Sequence, residues 1–170
     1  MNPIIVQGIG YLGLLFIVLS FQSNKRGTLL LYFLIAHLLF IVHFGLLGAF
    51  TGVAMNLVAA VRDVVFYKKG TNKRSFVYFF MAAFFLAGIV TWTNYISLLP
   101  ILATLAETYS LGEKRMKVLR ILTLIPHPFW FIYNAAVGSY AGMATEIVVV
   151  ASILIGIFRF DVRKAKNSIS

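Results

Sequence analysis

Apolar residues run along this chain in long blocks, and polar residues gather in the short gaps between them. The blocks cover residues 3–21, 28–46, 49–67, 76–92, 95–111, 118–135 and 138–158. A bilayer core of about 30 Å takes roughly 20 helical residues, with about 17 at the short end. The pattern therefore predicts an all-α integral membrane protein with seven transmembrane helices. Several blocks sit near the short limit, which suits a thin bacterial inner membrane or nearly upright helices. No Lys or Arg precedes Pro3–Phe21 and no small-residue cleavage site follows it. Lys25-Arg26 follows as a stop, so the block reads as a spanning helix rather than a signal peptide.

The gaps alternate in charge. Lys25-Arg26, then Lys68-Lys69 with Lys73-Arg74, then Lys114-Arg115 with Lys117, and the tail with Arg163, Lys164 and Lys166 are basic. The gaps around Leu47-Gly48, Thr93-Asn94 and Val137-Gly138 carry no Lys or Arg. Cytoplasmic loops are the basic ones, so the pattern predicts the N-terminus outside and the C-terminus in the cytoplasm. Trp92 and Tyr95 then fall at the outer interface, where amphipathic rings are favoured.

Composition sharpens this picture. Of the 170 residues 61% are hydrophobic and 12% charged, too few charges to clothe a soluble domain. The net charge of +10 would suggest nucleic acid in a soluble chain. Here the cations sit between apolar blocks, so the expected partner is the lipid bilayer and no nucleic acid. The absence of cysteine removes disulfides and thiolate metal sites. No phosphate-binding loop, dinucleotide glycine motif, zinc-protease motif or nucleophile elbow is present, so neither an enzyme nor a cofactor is expected.

The chain also aligns with itself at a shift of 90 residues. Residues 28–67 match 118–157 at eight of forty positions, against roughly three expected by chance. His37 pairs with His127, Gly48 with Gly138, Gly52 with Gly142 and Ala54 with Ala144; Phe40 registers with Trp130. This predicts a first three-helix repeat over 1–70, a linker helix within 71–94, and a second repeat with a basic tail over 95–170. An odd linker helix makes the repeats parallel, a plan found in transporters whose site lies between the halves.

Charges inside spans are costly and face a cavity or a partner. Glu146 sits near the middle of the last helix, and the shift sets it opposite Asn56. Together they are candidates for the polar floor of a substrate site, with Glu146 a candidate proton carrier. Asp63 and Arg62 lie about a turn from the cytoplasmic end, from where Arg62 can snorkel; they read as a structural pair closing the inner end of the bundle or, more sharply, as a candidate gate. Glu107 is a further gate or proton candidate, expected to pair with Lys114 or Arg115. Thr123, His127, Trp130 and Asn134 follow i, i+4, i+7, i+11 spacing and should face the interior as one stripe. Phe33, His37, Phe40 and Phe44 form the matching stripe. His127, Trp130, Asn134, His37 and Phe40 are thus candidate substrate-binding residues. Pro126 and Pro128 should bend the sixth helix. Two histidines without convergent carboxylates do not make a metal site, so no metal is expected.

Gly10-Tyr11, Phe44-Gly45, Gly48 and Met55-Asn56-Leu57-Val58 resemble the three-helix unit of SemiSWEETs, in the SWEET, MtN3 and PQ-loop group. That resemblance implies a 3+1+3 architecture with a sugar-like pocket, Asn56 matching an Asn of that pocket and Trp130 a Trp. Phe21-Gln22 stands where the group has Pro-Gln, and Glu146 replaces the second Asn. Over nearly its whole length the chain is similar to the YgjV-like family of small bacterial inner-membrane proteins. The expected function is a secondary transporter or facilitator of a small polar solute. The alternative is a sensor, scaffold or assembly protein that keeps the fold with a filled interior.

Overall fold

A computed structural model describes residues 2–21, 25–70, 74–113 and 115–158. The helices are α1 (Pro3–Phe21), α2 (Arg26–Leu46), α3 (Phe50–Lys69), α4 (Arg74–Val90), α5 (Leu98–Leu111), α6 (Met116–Thr123), α7 (Pro126–Ala136) and α8 (Tyr140–Ile157). A 3₁₀ turn, Tyr95–Ser97, leads into α5. No strand occurs among the described residues. Lys73, Lys114 and the tail cations Arg163, Lys164 and Lys166 lie outside them.

Helices α1, α2, α3 and α8 are each long and apolar enough to cross a bilayer, and α4 and 95–111 are shorter apolar segments. The expected single helix over 118–135 is instead two, α6 and α7. Proline at 126 has no N–H for the Leu122 carbonyl, and proline at 128 has none for Leu124. The chain tightens ahead of them: Leu124 N–H donates to Ile121 O at 3.2 Å and Ile125 N–H to Leu122 O at 3.1 Å. These are i→i−3 bonds, which end α6 and let Pro126 open α7, where a missing donor costs nothing.

Large apolar side chains cover the outside of the bundle. Leu15, Leu38, Phe79, Leu86, Ile147 and Leu154 are all exposed, as suits contact with lipid chains rather than water. Trp92 and Tyr95 are exposed at the α4–α5 connection.

Within the first three helices α2 packs against both α1 and α3; within the last four segments α6 and α7 pack against both α5 and α8. The two groups meet along α1 with α8 and along α3 with α5. Both meetings are parallel. Thr51 reaches Ser97 near the start of α3 and α5, and Arg62 reaches Thr108 further along both. Gln7 and Gly10 of α1 lie beside Gly138 and Ala141 at the start of α8. Two ends of the bundle follow: a turn end holding the 47–49, 91–94 and 137–139 connections, and a basic end where α1, α3 and α5 finish and α2, α4 and α6 begin.

The α2–α3 and α7–α8 turns share one backbone geometry. Gly48 and Gly138 both have φ of +72°, the left-handed region that glycine enters without strain. Ala49 N–H donates to Phe44 O and Ser139 N–H to Asn134 O, at 2.9 and 2.8 Å. Each bond lies 90 residues from its counterpart.

Candidate functional site

A cavity of about 390 Å³ lies between the two helix groups. Asn56 comes from α3, His37 and Phe40 from α2, and all three line it. His127, Trp130 and Asn134 of α7 and Glu146 of α8 line the other side. Thr123 of α6 is there too, so the four-residue stripe faces one space despite the helix break. The lining continues to the basic end through Leu119, Arg120 and Gly156. Toward the turn end it stops at aromatic rings: Phe44 stacks on Trp130 with centroids 6.1 Å apart, and contacts Phe40 and Tyr133 at 5.9 Å each.

Each half presents one imidazole held by a carboxylate. His37 Nδ1 lies 2.8 Å from Asp63 Oδ2, and His127 Nδ1 lies 2.6 Å from Glu146 Oε2. Convergent carboxylates are therefore present, contrary to the expectation for the two histidines. Among the described residues no three His, Asp or Glu side chains gather as a metal site would require. His127 Nε2 and Asn134 Oδ1 are buried with no hydrogen-bond partner among the described residues.

Arg62 does not snorkel: its side chain is 0% exposed. It bonds Asp63 Oδ1 through Nε and Nη2 at 3.1 and 3.0 Å, Glu107 Oε1 through Nη2 at 2.9 Å, and Thr108 Oγ1 through Nη1 at 3.0 Å. Its guanidinium carbon also lies 5.7 Å from the Phe84 ring centroid. Two acids, a hydroxyl and a ring face supply inside the bundle what water would supply outside. Glu107 consequently pairs with Arg62 and not with Arg115, which sits 3.4 Å from Glu113 instead. Of the gate candidates, Glu107 and Glu146 line the cavity, while Asp63 and Arg62 stand behind its wall.

Several polar residues of the bundle escaped the sequence reading. His43 is 0% exposed; its Nδ1 lies 2.8 Å from Val6 O and its Nε2 2.7 Å from Ser139 Oγ. A carbonyl only accepts, so Nδ1 carries the proton and, in the neutral ring, Nε2 accepts from the serine hydroxyl. Ser139 Oγ also accepts from Gly142 N–H at 3.1 Å. Gln7 donates to Gly138 O at 2.9 Å and accepts from Ala141 N–H at 3.1 Å. Tyr133 OH accepts from Gly52 N–H at 2.8 Å. These bonds tie the two helix groups together at the turn end. Gln7 is the lone carboxamide among the α1 residues, and that isolated polarity was the available signal.

Helices clad in lipid-facing side chains around a polar, aromatic-lined interior define a multi-pass α-helical membrane protein. The chain belongs to the Imp-YgjV family of bacterial inner membrane proteins, which matches residues 4–164. No curated protein and no solved structure matches it significantly.

Proposed function

We propose that the chain is a small-solute transporter or facilitator of the bacterial inner membrane, with seven spans in a 3+1+3 plan like that of SWEET-type proteins. The cavity carries this reading. Its volume is that of small-molecule sites, which hold mostly apolar walls and a few placed polar groups. It lies where two helix groups meet, the usual place for a site in proteins built from repeats. The paired contacts of α1 with α8 and α3 with α5, and the matching turns at Gly48 and Gly138, support a pseudo-two-fold axis along the membrane normal. The basic connections support a cytoplasmic basic end, with the cavity lining reaching that side. Asn56, His127, Trp130, Asn134, Glu146, His37 and Phe40 would contact the solute. The Arg62–Glu107 pair would latch the α3–α5 seam.

The sensor or scaffold alternative draws on the aromatic rings that close the turn end, but it calls for a filled interior, and the cavity weighs against that. Uptake into proteoliposomes, screened across sugars, amino acids and amines, tests the proposal. Saturable uptake of one class above protein-free vesicles supports it; no uptake of any class by folded protein overturns it.

A further inference from the structure

From the hydrogen-bonding character of its walls, we infer that the cavity takes a small organic cation, an alkyl- or arylammonium ion. This deepens the transport reading and rests on it for the solute's movement, though not for its binding.

The cavity's hydroxyls have already committed their protons. Thr104 Oγ1 donates to Pro100 O at 2.9 Å, Thr123 Oγ1 to Leu119 O at 2.7 Å, Thr145 Oγ1 to Ala141 O at 2.9 Å and Ser152 Oγ to Val148 O at 2.8 Å. In apolar surroundings the carbonyl one turn back is the nearest acceptor for a helical hydroxyl. What remains for an occupant is mostly lone pairs, with the Trp130 indole N–H and the Asn134 amide N–H groups as the donors left on those walls. The Asn56 amide donates to Gly52 O at 2.8 Å, leaving its own carbonyl oxygen as an acceptor. Glu146 and Glu107 add carboxylate oxygens on the same lining, while His127 Nε2 and Asn134 Oδ1, both without a partner, lie buried behind it.

The charge has the same sign. Asp63, Glu107 and Glu146 are three carboxylates in the interior, against the buried guanidinium of Arg62. Two of the three line the cavity. Arg120 also lines it; its Cδ lies beside Gly156, ten residues along α8 from Glu146, a helix rise of roughly 15 Å. Trp130 and Phe40 add aromatic lining, and a ring face attracts a cation and repels an anion. A polyol brings as many acceptors as donors, and its acceptors would meet few donors here. An ammonium ion brings donors and positive charge alone, matching both the lone pairs and the acids.

The test uses the full chain in lipid nanodiscs, with protein-free discs as the partitioning control. The probes are 2-phenylethylammonium, its neutral counterpart 2-phenylethanol, and glucose, read by titration calorimetry. Saturable ammonium binding, with the alcohol at least about tenfold weaker, supports the site; tenfold is the scale of one charge-assisted bond. Glu146→Gln should lower ammonium affinity by a similar factor while the helical circular dichroism is retained. Equal binding of amine and alcohol overturns the inference, as does glucose binding without ammonium binding, or unchanged affinity in folded Glu146→Gln. Should that variant not fold, the matched probes on the parent protein decide alone. Ammonium binding without any uptake would sink the transport reading and leave the site standing. Glucose uptake without ammonium binding would do the reverse.

Discussion

Arg62 and Glu107 meet at 2.9 Å between α3 and α5, and no part of the Arg62 side chain reaches solvent. The guanidinium is also the sole fixed cation beside Asp63 and Glu107 among the described interior residues. Removing it leaves Asp63 with His37 alone and Glu107 without its cation. Arg62→Ala should destabilise the bundle by about 3–5 kcal/mol, the usual cost of breaking a buried pair from one side. Thermal melting of the detergent-solubilised protein checks this. Because the loss arises from the stranded acids, Arg62→Ala combined with Asp63→Asn and Glu107→Gln should recover part of the melting temperature. Equal melting of the single and triple variants would refute the account.

The glycines at 52 and 142 should not tolerate alanine. A Cβ on Gly52 would strike Phe44 and the Tyr133 hydroxyl, and one on Gly142 would strike Asn134 and Ser139. Overpacking of this kind costs about 1–3 kcal/mol. Gly8 has open space at the same test and serves as the control. Gly52→Ala and Gly142→Ala should melt lower than the parent, and Gly8→Ala should not.

His43→Ala should weaken the turn end. It strips Val6 O of a donor and Ser139 Oγ of an acceptor. Losing such partners in a buried place costs about 1–3 kcal/mol. Hydrogen exchange should rise at the start of α8 more than at the basic end, where Arg62 holds α3 to α5. Uniform exchange across both ends would contradict this assignment.

A reporter fused after Ser170 should be active only when its chemistry works in the cytoplasm, since the basic connections share that end. A fusion active only in the periplasm would invert the bundle and put the basic end outside.

The helices were legible because burial in lipid demands continuous apolar runs, and α1 came out over the same residues, Pro3–Phe21. The interior stripe was legible because 3.6-residue periodicity survives the Pro126 break: Thr123 and Asn134 still reach one cavity. The break itself was read as a bend because the sequence shows the missing donors but not the i→i−3 bonds that replace them. Partners across the bundle were not legible. Nothing local says that Arg62 will choose Glu107, 45 residues away, over water. The pairing of His127 with Glu146 was missed although both residues had been singled out, because the rotation of α7 against α8 decides it.

Asp63, Glu107 and Glu146 lie several residues inside their helices, where the voltage across the membrane falls. A unit charge carried through the whole of that drop changes in energy by about 2.3 kcal/mol per 100 mV. Protons or cations that join or leave the two that line the cavity, Glu107 and Glu146, from one face cross part of it. If the occupant is the cation proposed above, its occupancy would then depend on membrane voltage as well as on concentration, and filling the cavity would register as a transient current in a planar bilayer.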